Sequence, residues 1–235
     1  MTPSTYPAPF NSAHVRANIV KILLIAGAFA TGLSLLAEAV SLALPPLTDD
    51  QELGDNPMAA GIVLIVLGLG VLDLIIYWTT IVFFLMWLYR AYNNAQAFNP
   101  SRRLEYSPGW AVGSFFIPFV NWVVPYRAVK DVWQKSGPAH EGLLSEPASP
   151  AYFPVWWLFW LLASIAGNIS MRVSFNENVP ERTATMISIV ASALSIVAAV
   201  FAYLVVNAID KRQEETSGRV KLGNFSEPPP PPANL

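Results

Sequence analysis

One carboxylate, Asp73, stands inside an apolar run that extends from 58 to 88. If that run is a helix across a bilayer, Asp73 lies near mid-membrane, where an acid costs about 2.5–3.5 kcal/mol on insertion scales. Two chemistries follow. Facing a wet cavity, Asp73 is a proton or cation site. Facing another helix, it is a neutral hydrogen-bonding contact worth about 0.6–2 kcal/mol, with Ser164, Asn168 or Tyr77 as candidate partners. The helix contact is the preferred reading.

The other polar residues of interest sit among or beside apolar residues. Asn121, in "FIPFVNW", follows Pro118, which removes a backbone donor. Its amide is suited to satisfying the groups that the proline frees, and less so to binding substrate. Arg102, Arg103, Arg127 and Lys130 are suited to lipid headgroups, at about 1 kcal/mol per basic residue near the surface. Arg90 closes the 58–88 run and reads as a snorkelling side chain. Glu38 reads as a solvated residue at the outer end of the first run.

Catalytic alternatives are few. The chain has no cysteine, so disulfides, thiolate metal sites and cysteine nucleophiles are excluded. His14 and His140 are isolated. There is no Gly-rich phosphate loop, serine elbow or metal-ligand spacing. The expectation is therefore no catalytic residue, no cofactor and no metal.

Composition says what must position these residues. Of 235 residues, 54% are hydrophobic and 13% are charged, with a mean hydropathy of +0.42. Soluble domains carry about 25% charged residues. The apolar residues are clustered, which points to a bilayer as solvent. The net charge of −2 and the lack of a basic run give no indication of nucleic acid.

The expected fold is an all-α integral membrane protein: a four-helix transmembrane bundle with spans at about 19–44, 58–88, 153–172 and 184–209. Residues 1–18 read as a flexible arm, and 45–57 as an acidic loop with Asp49, Asp50, Glu52 and Asp55. A cleaved signal peptide is rejected, because the first run is too long. The second run exceeds the hydrocarbon; its helix should continue past Trp87, Tyr89 and Tyr92 and stop at Asn99-Pro100. Trp156, Trp157 and Trp160 read as an interfacial belt. The stripe Ser188, Ser192, Ser195, Ala199 and Ala202, with Ala163 and Gly167, reads as close helix packing. Residues 211–235 read as a disordered tail ending in a pentaproline run at 228–232, a site for a Pro-recognising partner or a bare linker.

Between the second and third spans lies "YSPGWAVGSFFIPFVNWVVPY", 106–126, uncharged but interrupted by Pro108, Pro118 and Pro125. After it, 126–135 reads as an amphipathic helix. Tyr126, Val129, Val132 and Trp133 share one face; Arg127, Lys130 and Asp131 share the other. Such a helix is suited to lying on a membrane. Basic residues settle which side is which. Four spans with both termini cytoplasmic put twelve lysines and arginines inside, leaving only Arg172 and Arg182 outside. A fifth crossing at 106–126 scrambles this pattern. The segment therefore reads as re-entrant or interfacial.

The same region resembles the domain of unknown function family 4328, a set of bacterial membrane proteins. The resemblance rests on Trp87, Tyr89, Arg90, Asn94, Ser107, Pro108, Ala111, Val112, Phe115, Phe116, Pro118, Asn121, Pro125 and Trp133. It covers roughly 60–210, and Asn168-Ile169-Ser170 adds weaker support. Ser114 departs from it, since a larger residue is expected there. The resemblance implies no activity.

The expected function is thus a non-enzymatic scaffold or interaction protein of the cell membrane. Its partners would be lipids and either a second copy or another membrane protein. An alternative is a small oligomeric channel or transporter using Asp73, Pro118 and Asn121. A third is an enzyme acting on lipid.

Overall fold

A computed structural model of the chain describes residues 10–43, 57–98, 104–137 and 147–226. The regular elements among the described residues are all helical. They are α1 (His14–Ala43), α2 (Pro57–Phe98), α3 (Pro108–Gly113), α4 (Val124–Lys135), α5 (Tyr152–Ser174) and α6 (Glu181–Ser226). Two short 3-10 turns, Ser114–Phe116 and Val120–Trp122, lie between α3 and α4. Apart from Pro57, the expected acidic loop lies outside the described residues, as do Arg102, Arg103, His140 and the pentaproline run.

Four helices are long and apolar enough to cross a membrane, over His14–Val40, Leu67–Phe98, Tyr152–Ser174 and Glu181–Arg219. Each overlaps one of the four expected spans. The 42 residues of α2 reach about 63 Å at 1.5 Å per residue, twice the hydrocarbon thickness. Helix α2 is described as far as Phe98; the expected stop at Asn99-Pro100 lies outside the described residues. Helix α6 differs from expectation. It does not end near Ile209 but runs to Ser226. Gln213, Thr216 and Ser217 are buried, a polar stripe at i, i+3 and i+4. A search for apolar periodicity does not register such a stripe.

The chain divides into two compact units. One comprises Met1–Ala17, Leu85–Pro150 and Asn207–Leu235. Its core mixes Trp87, Leu88, Tyr92, Val129, Val132 and Ile209 with buried polar groups, among them Asn94, Asp131 and Ser136.

The other comprises Asn18–Phe84 and Ala151–Val206. Its buried residues include Val20, Ala30, Phe153, Ala191, Ala198 and Val205. Phe159 of α5 stacks on Phe201 of α6 at 6.1 Å between ring centroids. On α2, Leu67, Leu74, Ile75 and Trp78 are exposed, the arrangement expected of a surface solvated by lipid. Two expectations change in this unit. Trp156 and Trp157 are buried rather than forming an interfacial belt, with Trp156 against Phe84. The close helix approach is at Gly27, where an added Cβ would meet Ile76 at 3.3 Å, whereas Gly167 faces open space.

Candidate functional site

The segment 106–126 is not one helix. Ser107 caps α3, its Oγ accepting from the Trp110 N–H at 3.2 Å. Pro108 occupies the first turn, where its missing donor does no harm. After Ser114–Phe116 the chain reverses at Pro118 and Phe119. Phe119 has φ 64° and ψ −41°, and the Val120 N–H bonds the Pro118 carbonyl at 2.8 Å. This is a γ-turn with positive φ at its centre, a rare and strained form. Such strain in a non-glycine residue is of order 1–3 kcal/mol.

The Asn121 N–H closes a wider turn onto the Ile117 carbonyl at 2.9 Å. Backbone groups alone thus close the turn around Pro118. Asn121 was expected to satisfy the groups freed there through its side chain. Instead its Oδ1 is buried without a hydrogen-bond partner. Helix α4 then starts with Pro125 buried in its first turn.

Helix α4 also departs from the surface-helix expectation. Ala128, Val129 and Val132 are buried, but so are Asp131 of the supposed polar face and Lys135 one turn after it. Asp131 Oδ2 accepts from the Tyr92 hydroxyl of α2 at 3.0 Å and from the Glu105 N–H at 2.8 Å. Its Oδ1 pairs with Lys135 one turn on. The acid is turned inward because three polar groups, the Tyr92 hydroxyl, the Glu105 N–H and the Lys135 ammonium, converge on it. Only Arg127, exposed and 3.8 Å from Glu105, and half-buried Lys130 face outward. Beside them, the Tyr106 hydroxyl donates to Glu105 at 2.8 Å. Desolvation first, then the bond and the Glu105 charge, push the Tyr106 phenol above the ordinary tyrosine range, while Arg127 pulls it down.

A second cluster ties α2 to α6 through Gln213. Gln213 donates to the Ala91 carbonyl at 2.8 Å and to Ser136 Oγ at 2.9 Å. Its Oε1 accepts from Asn94 Nδ2 at 3.2 Å. Asn94 Oδ1 in turn accepts from the Asn11 N–H at 3.2 Å. Ser136 donates to the Val132 carbonyl, and its own carbonyl accepts from Thr216 at 2.8 Å. Around this knot, the Arg212 guanidinium lies 4.4 Å over the Trp133 ring and against Gly137. His14 Nδ1 lies 3.0 Å from Asp210, and Ser12 bonds Glu214.

Of the expected site residues, Asn94 is in this clamp and Trp87 is buried in the same unit. Ser107, Pro108, Pro118 and Pro125 shape the turn. Tyr89 is exposed and Arg90 half-buried, and neither joins the clamp. Asp131, Lys135, Ser136, Gln213 and Thr216 were not anticipated. The Asp131/Lys135 spacing of four was the one available signal for the first pair.

In the other unit, Asp73 makes the helix contact, but with α1. Ser34 donates to it at 3.0 Å and Thr31 at 3.4 Å. Ser164 and Asn168 bond carbonyls of their own helix instead, and Tyr77 is exposed. Glu38 is half-buried rather than solvated and accepts from Ser188. It borders an open cleft of about 630 Å³, also lined by Asn176, Glu177 and Glu181. Among the described residues, no three His, Asp or Glu side chains gather closely enough to hold a metal.

No curated protein and no solved structure matches the chain. The family model described as a domain of unknown function, DUF4328, matches residues 50–211, which include the Pro-broken segment and its motif. The chain therefore belongs to the DUF4328 family.

Proposed function

We propose that this is a non-enzymatic, multi-pass protein of the cell membrane that acts as a scaffold or interaction partner. The observation that carries the reading is where the buried polar groups are directed. Asn94, Gln213, Ser136, Asp131 and Tyr92 bond one another or the backbone. Asp73 is likewise occupied by Thr31 and Ser34. A satisfied buried network rigidifies a fold, and these groups are committed to that role. The partners are lipids and a second copy of the chain or another membrane protein.

In this reading the four long helices cross, both termini are cytoplasmic, and 106–126 returns to the side it left. The charge distribution supports it, and so does length. The six residues of α3 extend about 9 Å, against about 30 Å of hydrocarbon.

Two experiments test the proposal. The cysteine-free chain accepts single cysteines at Gln96 and Ala148, which are exposed on either side of the segment. An impermeant maleimide is expected to label both from the same side; labelling from opposite sides overturns the topology. Ion and solute flux is expected from neither the reconstituted wild type nor Asp73→Asn. Flux in the wild type that Asp73→Asn abolishes would replace the scaffold with a transporter.

A further inference from the structure

We propose that the turn from Phe116 to Val123 is an insertion tip. Phe116, Phe119 and Trp122 would sit at the headgroup–acyl boundary of the cytoplasmic leaflet, with Arg127 at phosphate level. The inference rests on the reading above, in which 106–126 does not cross, and names what that segment binds.

Three observations converge. The first is exposure. Phe119 is 80%, Phe116 67% and Trp122 58% accessible, with Trp110, Ile117 and Val123 also exposed. A contiguous apolar patch of this kind marks an interaction surface. Phe119 and Trp122 pack their rings at 6.1 Å and present them together.

The second is the backbone. The N–H groups of Val120, Asn121, Trp122 and Val123 all bond carbonyls within 117–120, and Pro118 has no N–H. Self-closed turns also form in water, but a turn entering lipid has to be closed in this way, because lipid offers its backbone donors no partner. The strained γ-turn at Phe119 is part of this closure.

The third is layering. No charged residue occurs from 106 to 126, and Arg127, with its side chain 58% exposed, follows directly. Aromatic residues below a basic side chain match the order of acyl chains and phosphates at a bilayer surface. Arg127 also faces the exposed Glu105 carboxylate at 3.8 Å, a loose surface pair of small worth, so a headgroup phosphate can compete for the guanidinium, which favours lipid over a protein partner as the occupant.

The test uses the full chain reconstituted in phosphatidylethanolamine–phosphatidylglycerol vesicles. A nitroxide is placed on Phe119→Cys and, separately, on Phe116→Cys, so that the failure of one variant to fold leaves the other. Leu74→Cys and Ala148→Cys serve as deep and aqueous references. Accessibility to oxygen and to a water-soluble nickel chelate is read by electron paramagnetic resonance. Both tip labels are expected to favour oxygen and to lie about 5–10 Å below the phosphates. Accessibility to the chelate equal to that at Ala148 overturns the proposal. So does protection from both reagents, which would instead indicate a protein contact. The Gln96/Ala148 labelling is independent. Same-side labelling with a water-exposed tip would sink this inference alone, and opposite-side labelling would sink the topology beneath it.

Discussion

Removing the Asp131 carboxylate separates two pictures of α4. In the surface-helix picture, Asp131 faces water. Its pairing with Lys135 is then an exposed i, i+4 contact, worth about 0.3–0.5 kcal/mol. In the structure, the Asp131 and Lys135 side chains are only 6% and 10% exposed. The same carboxylate also accepts from Tyr92 and the Glu105 N–H. Removing one partner of a buried pair costs about 3–5 kcal/mol, because the other charge stays in a poor solvent. Asp131→Ala is therefore expected to lose at least about 3 kcal/mol. The measurement is reversible unfolding of the purified protein in mild detergent, followed by tryptophan fluorescence. The double variant Asp131→Ala/Lys135→Met removes the stranded charge and is expected to recover more than half of the loss. A loss below about 1 kcal/mol with no recovery would refute the buried clamp and return α4 to the membrane surface.

The same unfolding assay checks three further expectations. Asp73→Leu deprives Thr31 and Ser34 of their acceptor and is expected to cost about 0.6–1.7 kcal/mol, while Asp73→Asn keeps an acceptor oxygen and costs less. Gly137→Ala puts a Cβ 2.2 Å from Arg212 Nη2 and so lifts the guanidinium off Trp133. The expected loss is about 0.5–1 kcal/mol, and it should vanish in an Arg212→Ala background. Phe119→Gly relieves the positive φ, whereas Phe119→Ala removes the same ring and keeps the strain. The glycine variant is expected to be the more stable by about 1 kcal/mol.

The four long helices were legible because apolar runs and prolines act locally. The break at 106–126 was legible for the same reason. The clamp was not. Its bonds join positions far apart in sequence, such as Asn94 with Gln213 and Gln213 with Ser136, and no local pattern encodes such pairings. The error at α4 shows why. A helix with Arg127, Lys130 and Asp131 on one face satisfies the amphipathic rule, which cannot tell a charge facing water from one facing a tyrosine and a backbone amide. Gln213 was lost because polar residues after Ile209 were read as tail, although a polar stripe facing polar partners propagates a helix as an apolar stripe does. Asn121 failed differently. Its chemistry suited the task expected of it, but the nested turns around Pro118 are closed by backbone groups alone, and its side-chain oxygen takes no part in them.

The location of the clamp has a physical rationale. A segment broken at Pro118 and Pro125 cannot hold its place by helix continuity, so side chains from outside it must do so. Helix α2 supplies Tyr92 and Asn94, and α6 supplies Gln213 and Thr216. Both sets act on the α4 end of the segment, at Asp131 and Ser136. The two halves of 106–135 thus have opposite treatments: the second is fixed by buried hydrogen bonds, and the first is apolar, internally bonded and exposed. The family match ends at residue 211, so Arg212, Gln213 and Thr216 complete the clamp from beyond the matched range. This stretch of α6, from Arg212 to Thr216, is therefore best understood as one wall of the clamp rather than as an appended tail. That is also why its inward stripe is polar: it faces Asn94, Ser136 and the Ala91 carbonyl, and not lipid.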